Sequence, residues 1–94
     1  MENLILSKYG NDFMSLTNFE PLLIQVKNDI SSNDKLLIDL KGVDNISPSF
    51  MTRFINRLYI DLHYEKIDIE NANKRLEVTF KFAKHSLRNK KVNV

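Results

Sequence analysis

The sequence predicts an α/β domain: a small, mostly parallel sheet of three to four strands with helices packed on it. Two observations carry this. The apolar run of residues 36–40 feeds through Ser47-Pro48-Ser49 into an amphipathic stretch ending near Leu62, and segments of period 2 alternate with segments of period 3.6 along the chain.

The first strand is the short apolar run Asn3-Leu4-Ile5-Leu6-Ser7, ended by the turn-forming cluster Tyr9-Gly10-Asn11-Asp12. Phe13 and Met14 then suit a brief return strand. Phe19, Leu22, Leu23, Val26 and Ile30 fall on one face at helical spacing and predict the first helix. Two starts compete for it. Thr17 with Glu20 matches a capping box, whereas Pro21 fits best as the first helical residue. Ser31-Ser32-Asn33-Asp34 terminates the helix.

Lys35-Leu36-Leu37-Ile38-Asp39-Leu40 is nearly continuous in apolar residues, the pattern of a strand covered on both faces. Gly42-Val43-Asp44-Asn45-Ile46 is the connection. Ser47, directly before Pro48, is placed to accept a hydrogen bond from the free N–H groups of a second helix. That helix buries Met51, Phe54, Ile55, Leu58 and Leu62, flanked by Phe50 and Tyr59. Arg53, Arg57 and Asp61 recur every four residues on another face, which is either solvated or a docking surface. Lys66-Ile67-Asp68-Ile69-Glu70 alternates strictly as a third strand, and Asn71-Ala72-Asn73 turns into the last element. Leu76, Phe80, Ala83 and Leu87 make that element a helix, although Leu76, Val78, Phe80 and Phe82 also alternate as a strand would. Helix capped by Asn73 is the reading that completes a regular β-α-β-α-β-α order with right-handed crossovers, with Phe80 and Phe82 both assigned to the core. Residues 89–94 are expected to be a frayed basic tail.

Composition sets the class. Ninety-four residues, 43% hydrophobic and 28% charged, suit a single domain over residues 1–94. No apolar stretch approaches the length of a membrane span, and Met1-Glu2-Asn3 opens no signal-like segment, so a cytoplasmic protein with no membrane partner is expected. The absence of cysteine excludes disulfides, thiolate metal sites and cysteine nucleophiles. Two glycines, Gly10 and Gly42, are too few for a glycine-rich phosphate cradle. Charge is uneven: residues 1–73 hold 7 Lys/Arg against 11 Asp/Glu, and residues 74–94 hold 7 against 1. The basic end is either a solvated helix face or a footprint for an anionic partner.

The run Leu37-Ile38-Asp39-Leu40-Lys41-Gly42-Val43-Asp44-Asn45-Ile46-Ser47-Pro48-Ser49-Phe50 resembles the central signature of STAS-like domains, the group related to anti-sigma-factor antagonists. An apolar strand ending in Asp, a Gly-Val pair and a Ser-Phe step leading into a helix carry the likeness. Lys66-Ile67-Asp68-Ile69-Glu70-Asn71-Ala72-Asn73 is similar to the family's next strand and turn, so the resemblance spans roughly residues 36–87. It implies a STAS-like regulatory module that docks on other proteins, among them histidine-kinase-like ATPases. In phosphorylatable relatives a serine at this helix start is the switch, and the matching position is Ser49. Ser47 stands where those relatives carry aspartate, and Phe50 where they carry glycine. A phosphate on Ser49 would be tolerated by the free N–H groups and dipole of the helix start while placing negative charge on a docking surface.

For Ser47 and Ser49, helix capping is the competing explanation. Asp39 either serves a ligand at the carboxyl end of the sheet or hydrogen-bonds its own loop. His63 and His85 have no chelating neighbour at helical spacing, Asp39 and Asp44 are not placed as an acid/base pair, and Ser49 lacks a glycine-flanked nucleophile turn. The expectation is therefore no enzyme, no metal and no cofactor, with Ser47, Ser49, Phe50, Arg53 and Arg57 contacting a protein partner. Two alternatives stay open. One is nucleic-acid binding through Lys74, Arg75, Lys81, Lys84, Arg88, Lys90 and Lys91; the other is a structural or assembly subunit, its oligomeric state unknown.

Overall fold

The computed structural model describes the backbone of residues 2–31 and 34–92 and the side chains of residues 2–31 and 34–87. Strand β1 (Glu2–Ile5) runs into a 3₁₀ turn, Leu6–Tyr9, followed by β2 (Asp12–Phe13) and helix α1 (Phe19–Asp29). Next come β3 (Lys35–Asp39), β4 (Asn45–Ile46), α2 (Pro48–Leu62), β5 (Lys66–Glu70) and α3 (Lys74–Val92). The α/β class and the mostly parallel sheet are as expected.

β1, β3 and β5 form one wholly parallel sheet in chain order, with Leu4 beside Ile38 and Ile38 beside Ile69. Both crossovers step the same way, and right-handed connections put their helices on one side. Burial alternates accordingly. Leu4, Leu36, Ile38 and Ile67 face the helices and are buried, whereas Asn3, Ile5, Leu37, Asp39, Asp68 and Glu70 form an outer row of exposed or half-buried residues. β3 is thus not covered on both faces: its apolar run mixes an inner row with a half-buried Leu37 on the outside.

The return strand is also corrected. β2 pairs in parallel with β4, Asp12 beside Asn45 and Phe13 beside Ile46, so the connection after β3 is itself partly strand. Gly42 makes that connection turn. The Val43 N–H donates to the Leu40 carbonyl at 3.0 Å, and Gly42, with φ +85°, takes the left-handed position that a side chain resists.

Helix α1 starts at Phe19, and neither expected start signal operates. Thr17 Oγ1 accepts from the Ser15 hydroxyl at 2.8 Å, Glu20 is drawn away to Arg57, and Pro21 sits third in the helix, where its missing N–H costs nothing. Phe19, Leu23, Val26 and Ile30 are buried while Leu22 is half-buried. Within the expected terminator, Ser32 and Asn33 lie outside the described residues. Helix α2 follows its signals closely. Ser47 Oγ accepts the Phe50 N–H at 3.0 Å, Pro48 opens the helix, and His63 closes it in the left-handed conformation with φ 60°. Asn73 Oδ1 caps α3 by accepting the Leu76 N–H at 2.9 Å. α3 buries Leu76, Phe80 and Ala83 and continues to Val92, past the point where a frayed tail was expected. Residues 93 and 94 of that tail lie outside the described residues.

Phe50 is the hub of the core. Its ring lies 5.3 Å from Phe13, 5.3 Å edge-on from Phe19 and 5.8 Å from Phe54, joining β2, α1 and α2. Truncation to alanine would remove all three contacts and leave a cavity. Phe50→Ala is expected to lower the unfolding free energy by about 3–5 kcal/mol, read from urea denaturation.

Candidate functional site

The N-terminal half of α2 carries a stripe at helical spacing, the exposed Ser49 and Arg53 with the half-buried Thr52 and Asn56, on the side opposite Met51, Phe54, Ile55 and Leu58. Phe82 of α3 stands beside it, 67% exposed. With Pro48, these residues line an open groove of about 420 Å³ between the two helices. Outside this lining, the Arg75 guanidinium donates to Asn45 Oδ1 at 2.8 Å, tying the start of α3 to the residues before α2.

The expected contact residues separate into different roles. Ser49 and Arg53 line the groove, and the Arg53 guanidinium lies 5.6 Å over the Phe19 ring. Ser47 is half-buried and caps the helix. Phe50 is only 2% exposed, which corrects its assignment as a partner contact: burying a phenyl ring among three others outweighs displaying it. Arg57 is committed to an interhelical bridge. It donates to Asp61 Oδ2 through Nε at 3.1 Å and to Glu20 Oε2 through Nη1 at 2.8 Å, while Lys27 Nζ reaches the same Asp61 oxygen at 3.0 Å. This network ties α1 to α2 and leaves Arg57 little charge to offer a partner.

Phe82 is also reassigned. Leu76, Phe80 and Ala83 define the inward face of α3, and a residue next to Ala83 in sequence is turned about 100° from it. Thr52, Asn56 and Phe82 had no place among the expected contacts. Helical phase was the available signal, because Thr52 and Asn56 share the face of Ser49 and Arg53.

Asp39 serves its own loop. Its Oδ1 accepts the Lys41 N–H at 2.9 Å and the Asn71 side-chain amide at 3.0 Å, and the Asn71 bond, followed by that from Lys41, holds its carboxyl below the usual range. Asp44 instead contacts the Asn11 amide. Among the described residues no three His, Asp or Glu side chains gather as a metal site, and no helix is long and apolar enough to cross a membrane. On α3, Lys74 and Lys81 are exposed, and Lys84 lies 3.8 Å from Asp68 and over the Phe80 ring; the side chains of Arg88, Lys90 and Lys91 lie outside the described residues. Comparison with family models, characterised proteins and solved structures yields no match to the chain.

Two measurements separate these roles. Ser47→Ala is expected to cost about 1 kcal/mol through loss of the cap, and Ser49→Ala to stay within about 0.5 kcal/mol because Ser49 is exposed; urea unfolding of both variants checks this. The second concerns acid. Lys27 foremost, then Arg57, holds the Asp61 carboxyl below its ordinary value. Its folded pKa is therefore depressed, so its contribution is complete above the unfolded value of about 3.9 and is lost as pH falls through the folded one. Asp61→Asn should flatten the decline in stability at acid pH, measured as urea midpoints; Asp39, shifted the same way, preserves part of the slope.

Proposed function

We propose that the chain is a non-catalytic regulatory or interaction module of STAS-like type that docks on a protein partner through the start and exposed face of α2. The groove bounded by Pro48, Ser49, Thr52, Arg53, Asn56 and Phe82 supports the reading best, because it joins the two intact contact candidates, Ser49 and Arg53, to an exposed aromatic ring. Its lining has hydroxyls, an amide and a guanidinium but no histidine or carboxylate to act as a base, which favours binding over catalysis. The family resemblance makes a histidine-kinase-like ATPase the partner class to try first and a cytoplasmic setting the natural one.

Ser49 is the regulatory position in this reading. It is exposed at the groove wall, whereas the Ser47 hydroxyl caps the helix beneath it. Phosphate there would sit in the favourable field of the helix start yet change the sign of the surface that a partner meets.

The experiment is affinity capture from the source cells with the wild-type chain, Ser49→Asp and Arg53→Glu, the captured proteins being identified and the binding of each repeated with purified components. A specific partner is expected for the wild type, with both variants losing most of it. Unchanged capture by both variants would reject this surface.

A further inference from the structure

The sign and shape of the groove narrow the chemistry of its occupant. Arg53 is the single charged residue in the lining. Among the described residues it has no carboxylate partner, whereas Arg57, one turn further along α2, is neutralised by Asp61 and Glu20. Its position over the Phe19 face orients the guanidinium without cancelling its charge. Arg75 is anchored by the neutral Asn45 amide, so its charge too remains uncompensated by that contact. It lies seven residues before Phe82, hence on the same side of α3.

The apolar part is equally specific. Phe82 is 67% exposed and Val78, one turn earlier on α3, is 60% exposed. Such side chains keep apolar surface in water that a partner would favourably cover, and their neighbours along α2 are polar. A matching ligand carries an apolar ridge for Phe82 and a carboxylate for Arg53, and where it runs past the groove lining it meets Val78 and Arg75 on the same side of α3. Because the walls are two helices held side by side, a third helix is the shape whose ridges fit between them.

We infer that the α2–α3 groove receives an acidic amphipathic helix of a partner protein, with Arg53 in the lining and Arg75 beyond it meeting its carboxylates and Phe82 its apolar stripe. This rests on the docking reading above and adds the chemistry of the occupant. It also gives a negative charge at Ser49 a direct effect, since the charge would enter the groove beside the partner's own acids.

The test uses the full chain and three fluorescent probes: a short peptide with Leu and Glu at helical period, the same peptide with Lys for every Glu, and an oligothymidylate. Anisotropy titrations are paired with nitrogen-15 NMR shift mapping and with thermal melts that verify the fold of each variant. The Leu/Glu peptide is expected to bind and to perturb residues 49–56 and Phe82. Arg53→Glu and Phe82→Ser should each weaken it about tenfold or more, while Lys81→Glu, outside the lining, changes it less than about twofold. Failure of the Leu/Glu peptide to bind, equal binding of the Lys peptide or the oligothymidylate, or an equal loss in Lys81→Glu would each overturn the inference. If the peptide fails but Arg53→Glu still abolishes capture of a cellular partner, the docking surface stands and the acidic-helix chemistry falls.

Discussion

The Phe50 ring is the contact on which the other parts converge. It follows Ser47 by three residues, so the backbone N–H that the Ser47 hydroxyl accepts belongs to the same residue whose ring packs on Phe13, Phe19 and Phe54. Capping and core packing are therefore coupled at one residue. The cap fixes where α2 begins, and that beginning fixes which side chains point inward. Phe54 and Leu58 follow Phe50 at helical spacing into the core, while Ser49, Arg53 and Asn56 emerge on the other side. Shifting the start by one residue would rotate the exposed stripe by about 100° and dismantle the groove.

The sheet imposes a second constraint. Its strands lie in chain order, so crossovers of the same hand, the right-handed rule for parallel strands, deliver their helices to one side. α2 consequently lies between α1 and α3, tied to α1 by the Arg57–Asp61–Lys27–Glu20 network and to α3 across the groove. The outer row of the sheet is left with Asn3, Asp39, Asp68 and Glu70 among its residues, which water can solvate. The half-buried Leu37 in that row is what made β3 read as a doubly covered strand.

Features decided within a few residues were legible in the sequence. The Ser47-Pro48 start, the Asn73 cap, the alternation of Lys66–Glu70 and the inward face of α2 all depend on local hydrogen bonds or on period alone. Features decided across the chain were not. β2 and β4 contain two residues each, too few for any periodicity, and exist because each supplies the other's hydrogen bonds. Glu20 had a local role in a capping box with Thr17 and did not take it, because Arg57 lies 37 positions away in sequence and 2.8 Å away in space. Phe50 was visible as an aromatic flanking the stripe, but its burial follows from Phe13 and Phe19, which belong to other elements.

The same distinction explains why two arginines of equal spacing and similar local sequence differ in what they offer a partner. Arg53 and Arg57 both project from α2, one turn apart. Arg57 meets carboxylates from its own helix and from α1, and a charge so paired gains little from a newcomer unless those bonds break first. Arg53 faces an aromatic ring instead, which holds the guanidinium in place without, among the described residues, pairing it with a carboxylate. Placement without neutralisation lowers the ordering cost of binding and preserves the electrostatic gain. The phenyl ring of Phe19 thereby links the core cluster to the surface groove: the residue that packs edge-on against Phe50 also positions the one cation in the groove lining.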